Sequence, residues 1–310
     1  MRSARQLLVI GLVLGLVASA CGGTADVDES SADTDETTVS DDEPSEPESP
    51  AEDATTDAVD ETLPPEDEEA GPEVAVFFVR SNDAGIWVEP ETHELDRPTE
   101  AVAHAAIDLL FTGTPHDPEL TSAGPDDVQV LATNIRDRVL IVDVSEEIAT
   151  HSTGSAEELA FAEQLAHTAA AFPTVDRVQL WVAGEPIDEL WGHLEWSEPI
   201  DPDPFALSPI TIAEPRAGPG EPTFPPGEIV LRGEATVFEA NFGIRLYGPD
   251  GELVAEDFVT ASEGGPGRGD WEHAFTITEP GTYLVEAEED DPSDGEGRPP
   301  FVTTRQLEVR

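Results

Sequence analysis

The sequence predicts two folded domains of different class, an α+β domain over 74–200 and an all-β sandwich over 209–310. A linker at 201–208 joins them, and an acidic disordered tether at 21–73 precedes them. Three observations predict this. Over 74–200, strand-like apolar runs come in adjacent pairs between two helix-like runs, and paired strands without an intervening helix argue against a doubly wound parallel sheet. Beyond 209, about seven short alternating runs are separated by Gly, Pro and Asp turns, the pattern of a β-sandwich. Residues 24–73 hold 21 Asp or Glu and no basic residue, so they cannot bury enough apolar surface to offset their chain entropy.

The first domain opens on Val74-Ala-Val-Phe-Phe-Val79, a short run rich in Val and Phe that reads as a buried strand. Ser81 to Gly85 is a turn, and Ile86-Trp-Val88 continues as its hairpin partner towards His93 and Leu95. Pro98-Thr-Glu100 opens a helix on which Ala101, Val102, Ala105, Ala106, Leu109 and Leu110 recur at helical spacing. Gly113 and Pro115 stop it. Asp127–Leu131 and Arg138–Val144 read as strands joined across Asn134–Asp137. A second helix runs from Ala156 to Ala171, with Ser155 and Glu158 at capping-box spacing and Leu159, Ala162, Leu165, Ala166 and Ala169 on its apolar face. Val178–Val182 is a further strand before the turn at Gly184.

In the second domain, Ile210–Ile212, Glu228–Ala235, Val237–Tyr247, Glu252–Val259, Trp271–Ile277, Gly281–Glu288 and Phe301–Val309 read as strands. Gly248-Pro-Asp-Gly251 is a strong turn signal. The chain's one Cys lies far upstream at position 21, so the sandwich core must be purely hydrophobic.

Charge narrows the function. The chain has 310 residues, with 14 Arg and no Lys against 68 Asp and Glu, for a net charge of −54. Neutralising phosphates needs a basic face, so nucleic-acid binding is excluded. An anionic membrane surface would also repel the chain, so attachment to a membrane must be covalent or hydrophobic. Residues 74–310 still carry 47 acids against 12 Arg, a surface that suits concentrated salt, where screening removes self-repulsion.

The N-terminus supplies an attachment. Arg2 and Arg5 precede the apolar Leu7–Val17, and Ala18-Ser-Ala20 leads into Cys21. This is a secretory signal, too short to span a bilayer comfortably. The small-residue run ending at Cys resembles a bacterial lipobox, with Ala18 where Leu is usual. The resemblance implies a signal peptide at 1–20, lipidation of Cys21, and a cell-membrane location on the extracytoplasmic face. Gly22 and Gly23 suit a flexible exit from the bilayer, and charge repulsion extends the tether beyond them.

Both folded regions resemble known families. VAVFFVR, AIDLLFTGTP, VLIVDVSEEI and FPTVDRVQLWVAGEPIDELWGHLEWSEPI are similar to elements of the sporulation and germination GerMN domain family. Leu109-Leu110 with Gly113 and Pro115, and Val142-Asp-Val-Ser145, are the most specific matches. Ile212-Ala-Glu-Pro215, Gly233-Glu-Ala-Thr-Val-Phe-Glu-Ala240, Asp250-Gly251, Ala261-Ser262 and Asp294-Gly295 resemble the immunoglobulin-like domain that follows GerMN in germination-type proteins. The resemblance implies a non-catalytic, lipid-anchored envelope lipoprotein that binds or assembles with envelope proteins or cell wall.

Candidate chemistry is sparse. None of the seven histidines (His93, His104, His116, His151, His167, His193, His273) makes a recognisable metal-ligand spacing with another. His151, Ser152 and Ser155 supply triad residue types without a nucleophile elbow. Asp290 to Gly295 departs from the calcium-loop pattern at Pro292 and Phe301. No catalytic residue, metal or cofactor is therefore expected. Trp191, Trp196 and Phe205, near the end of the first domain, are the candidate partner-binding residues, set against a role in core packing. Two alternatives stay open: a solute- or glycan-binding envelope lipoprotein with its ligand near those aromatics, and a cell-wall hydrolase whose two carboxylates hide among the acids.

Overall fold

A computed structural model describes residues 71–95, 101–218, 222–291 and 295–310. Cys21, the signal segment, nearly all of the acidic tether, the Pro98 helix start and part of the Asp290–Gly295 loop lie outside the described residues.

Strands β1 (Glu73–Asn82) and β2 (Gly85–Glu94) form an antiparallel hairpin with Val79 opposite Val88. The Asn82 side chain accepts from the Ala84 N–H at 2.9 Å and closes the turn. Helix α1 (Val102–Thr112) follows, and the Gly113 N–H donates to Leu109 O at 2.9 Å where it ends. Strand β3 (Leu120–Thr121) returns to β1, giving the sheet order β2-β1-β3. A second hairpin, β4 (Val130–Arg136) and β5 (Val139–Val144), leads through a 3-10 turn at Glu146–Thr150 into α2 (Ser155–Ala170). Strand β6 (Arg177–Val182) then lies parallel to β5, and the short β7 (Glu185–Pro186) completes the order β4-β5-β6-β7. Val76, Phe78, Ile107, Leu110, Leu140, Val142, Phe161, Leu165, Val178 and Leu180 fill one core between helices and sheets. This is an α+β domain.

The structure corrects three local expectations here. The β4–β5 turn is Asp137-Arg138, both at positive φ, so Asn134 to Arg136 belong to the strand and Asp127 to Gln129 precede it. The Ser155–Glu158 capping box does not form: Gly154 is the N-cap, and Glu158 is fully buried, turned to the backbone N–H groups of Trp191 (3.4 Å) and His193 (3.0 Å). Leu159 is half exposed while Phe161 is buried, because α2 is packed on more than one side by β1, β2 and β6.

The second domain is a sandwich of eight strands: β8 (Ile210–Glu214), β9 (Thr223–Phe224), β10 (Gly227–Ala235), β11 (Asn241–Tyr247), β12 (Leu253–Thr260), β13 (Gly269–Ile277), β14 (Gly281–Glu289) and β15 (Val302–Val309). They form sheets β13-β10-β8 and β12-β11-β14-β15-β9. Alternate residues face inward, so Ile229, Leu231, Phe242, Ile244, Leu246, Val285, Ala287 and Leu307 meet in a dry core. The run Val237–Tyr247 is not one strand. A 3-10 turn at Phe238–Ala240, with Glu239 at φ 53° and Ala240 at φ 60°, carries the chain from one sheet to the other. Gly233 is required by a close approach: a Cβ there would overlap the Thr211 carbonyl oxygen, which accepts from Trp271 Nε1 at 3.2 Å.

The described residues of the two domains belong to one compact unit. Trp87 packs edge-on against Phe301 (centroids 4.9 Å apart) beneath the Arg298 guanidinium, and the Ser208 N–H donates to Val88 O at 3.1 Å. Arg216 Nη1 donates to Glu73 Oε1 at 2.6 Å, linking the start of β1 to the segment after β8.

Candidate functional site: an acidic cleft between the domains

The cleft follows from the β1–β2 register. Residues directly opposite in an antiparallel pair share a face, and residues two apart on a strand share it too. Glu89, Glu91 and His93 therefore lie on the face that also carries Val74, Val76, Phe78 and Arg80. The loop after α1 brings His116, Asp117 and Glu119 to the same place. Strand β8 and Arg305 of the sandwich form the opposite wall, and the space between is about 660 Å³. Seven carboxylates and two guanidiniums line it, so the cleft favours cations over anions.

Arg80 organises one half. It is 3% exposed, with Nε 2.6 Å from Glu89 Oε1, Nη2 3.0 Å from Asp117 Oδ2 and Nη1 2.7 Å from Glu119 Oε2. Burial alone would push this guanidinium's pKa down; the three carboxylates more than reverse that and raise it. The network reaches the sandwich: Arg305 Nη1 lies 3.8 Å from Asp117, and Thr304 Oγ1 donates to Glu119 at 3.3 Å.

Glu91 organises the other half. Its Oε2 accepts from the His116 N–H at 2.8 Å, its Oε1 from the Asp117 N–H at 2.7 Å, and His93 Nε2 lies 3.1 Å from Oε2. Burial pushes the Glu91 carboxyl up, but these hydrogen bonds overcome it and hold the group below its ordinary value. The His93 and His116 rings stack with centroids 4.1 Å apart. Burial and the neighbouring His93 push the His116 imidazole down, against the pull of Glu91. One donor atom from each of Glu91, His93 and His116 can be chosen so that all lie within 4.8 Å of one another. These three residues could hold a metal.

The sequence-predicted residues fall elsewhere. Trp196 is fully buried in the α+β core, 6.3 Å from Phe161, which removes it from any partner-facing surface; a large ring at that depth is core. Trp191 is half-buried, packs on Phe161 at 5.2 Å, and its indole N–H donates to Ile148 O at 3.0 Å. Phe205 is 63% exposed on a 3-10 turn at Pro204–Ala206 capped by Asp203. His151 pairs with Asp127 at 2.7 Å on the surface. The cleft residues escaped sequence reasoning, although Glu91-Thr-His93 on a strand already places two ligating side chains on one face.

An α+β domain of this topology joined to an immunoglobulin-like sandwich defines a two-domain class, and family comparison says which. Residues 75–188 match a family described as sporulation and spore germination, and residues 210–296 match the immunoglobulin-like domain of bacterial spore germination. The chain thus carries one domain of each kind, in that order.

Among solved structures, the chain is similar to the tandem GerMN domains of the sporulation protein GerM from Bacillus subtilis, at 21% identity and TM-score 0.36, over 46% of this chain and 49% of that one. It therefore spans about half the length of that protein. It is also similar to the first GerMN domain of the same protein (23% identity, TM-score 0.33, 42% of this chain and 96% of that one). A third similar structure is described as a lipoprotein from Clostridium perfringens (21% identity, TM-score 0.31, 42% of this chain and 87% of that one). Among curated proteins no match is found.

Proposed function

We propose that the chain is a lipid-anchored, non-catalytic binding or assembly module at the outer face of the cytoplasmic membrane, held there through Cys21. Its partners are envelope proteins. The observation that carries this reading is strand β12. It is the edge of the five-stranded sheet and carries Leu253, Val254 and Phe258 at 52%, 56% and 69% exposure. An edge strand with unpaired backbone groups and outward apolar side chains is the surface on which an extended segment of another protein adds as a further strand. No helix among the described residues is long and apolar enough to cross a membrane.

A second reading, a solute-binding lipoprotein, draws on the cleft, whose 660 Å³ falls in the range of small-molecule sites of about 300–1,000 Å³. Its charged lining differs from the largely apolar lining of such sites.

The test is photo-crosslinking in intact cells from positions 254 and 258 of the full-length anchored chain, compared with Phe258→Asp. One envelope protein crosslinked from both positions, and lost in the variant, supports the module. Crosslinks no different from those of a position on β13 would sink it. A small solute co-purifying with the chain and displaced by cleft substitutions would favour the second reading.

A further inference from the structure

We propose that Glu91, His93 and His116 form a binding site for one divalent transition-metal ion, of which Zn²⁺ is the best fit, and that the bound ion locks the junction between the two domains. This is independent of the β12 reading and concerns a different surface.

The donor set is two imidazoles and one carboxylate, the mixture that suits zinc and its first-row neighbours rather than Ca²⁺ or Mg²⁺, which take oxygen. The donor atoms already lie within 4.8 Å of one another. Ligands about 2.0–2.2 Å from a tetrahedral ion sit roughly 3.3–3.5 Å apart, so the site is completed when the donors draw closer and the loop-borne His116 ring, now stacked on His93, turns its in-plane nitrogen to the ion. His93 and Glu91 are set by the β2 register, and only His116 is carried on a loop. The groups that orient the ligands are in place: the Glu91 carboxylate is aimed by two backbone N–H groups. His93 packs against Phe78 on one side (5.5 Å) and His116 on the other. Glu91 and His116 also line the cleft, whose carboxylates concentrate cations.

The consequence for the junction follows from where His116 sits. A Cβ on Gly218, in the segment that follows β8, would overlap the His116 side chain, so the two backbones are in close contact. Asp117 and Glu119, next along the loop, face Arg305 and Thr304 of the sandwich. An ion that ties His116 to β2 fixes this loop and every contact it makes across the junction.

The experiment titrates Zn²⁺ and, separately, Co²⁺ into the chelator-treated full-length lipoprotein in detergent, with excess Mg²⁺ present to saturate the acidic tether. Calorimetry, the visible spectrum of the Co²⁺ form and the melting temperature are read together. One equivalent should bind, Co²⁺ should give the intense visible bands of a low-coordinate nitrogen and oxygen site, and the melting temperature should rise with metal. His116→Ala should weaken binding by more than the roughly 10–100-fold lost with an outer partner of a metal ligand. Glu91→Gln, which keeps the shape of the side chain, serves as the second variant should His93→Ala not fold. Absence of a stoichiometric tight site, or a tight site unchanged in both His116→Ala and Glu91→Gln, overturns the proposal.

Discussion

Arg80 and Arg245 each hold three carboxylates, yet they sit in opposite settings. Arg80 is 3% exposed at the domain junction, and Glu89 and Asp117 are buried with it. Arg245 lies 29% exposed on the outer face of the sandwich, across β11, β12 and β14, with Glu256 at 2.8 Å, Glu286 at 3.0 Å and Glu288 in close contact. Hydrogen bonds from the three carboxylates raise its pKa as well. The pairing is alike, and the environment decides what it is worth. Near water the partners can be solvated when the Arg is lost, so such a network contributes little. In the junction Glu119 is half exposed but Glu89 and Asp117 are buried, so removing the Arg leaves two buried carboxylates with only Arg305, 3.8 Å from Asp117, close by. In a chain this acidic, guanidiniums are scarce, and placing one at the junction makes the junction depend on it.

The largest expected effect tests that directly. Arg80→Met should cost about 3–5 kcal/mol in denaturant unfolding, the range for breaking a buried ion pair from one side. Combining it with Glu89→Leu should recover part of the loss, since the uncompensated charge goes with it. A cost for Arg80→Met below about 1 kcal/mol would mean that water reaches the network, and the contrast with Arg245 would disappear.

A purely steric lesion in the sandwich sharpens the comparison. Gly233→Ala places a methyl group against the Thr211 carbonyl, which is backbone and cannot swing away. It should cost roughly 1–3 kcal/mol and lower the unfolding midpoint of the sandwich, whereas the Arg80 change acts on the α+β domain and junction. Unfolding followed by Trp271 and by Trp196 fluorescence in single-Trp backgrounds distinguishes the two. Coincident loss by both probes in both variants would show that the domains unfold as one.

These effects also mark how far the sequence could be read. The β1–β2 hairpin, both helices and most sandwich strands were legible, because alternation of period two and helical spacing survive wherever one face is buried. The corner at Phe238–Ala240 was not: Val237-Phe-Glu-Ala reads as strand, and only the switch of sheets bends it. Glu158 looked like a cap residue, but its burial against the backbone of 191–193 depends on chain more than 30 residues away. Of the candidate site, the Glu91–His93 pair was within reach of the two-residue rule, while His116 arrives through the fold of α1 and its loop, which no local pattern encodes. The three aromatics singled out, Trp191, Trp196 and Phe205, share apolar character but not exposure, which is set by tertiary packing.

At the exposed end of the comparison, Arg245→Gln should change stability by about 1 kcal/mol or less, and any loss should shrink further as salt is added. Arg80→Met should respond far less to salt, because buried pairs are screened much less. Equal salt sensitivity of the two variants would break the distinction between them.

The smallest effect concerns pH and a second buried pair. His167 Nε2 stands 3.6 Å from Glu163 Oε2 and 3.0 Å from Asp203 O, and Phe77 packs on its ring at 5.2 Å. Burial pushes the His167 imidazole below its ordinary value of 6.5; Asp203 pulls it back up and Arg268 adds to the lowering. Above that ordinary value His167 is neutral in both folded and unfolded chains, and its contribution is fully present. As pH falls below it, the unfolded chain takes up a proton that the folded chain resists, so stability is lost towards the lowered folded value. Glu163 acts in the opposite sense: burial raises its carboxyl, so in the window above its ordinary 4.5 the folded chain holds the extra proton and stability rises as pH falls. The histidine acts first on acidification, and Glu163 offsets it lower down. The wild-type melting temperature should therefore decline between about pH 7 and pH 5 more steeply than that of His167→Gln, with the two curves converging in slope under more acid conditions. Parallel curves across the whole range would place the pair in water, on Arg245's side of the comparison.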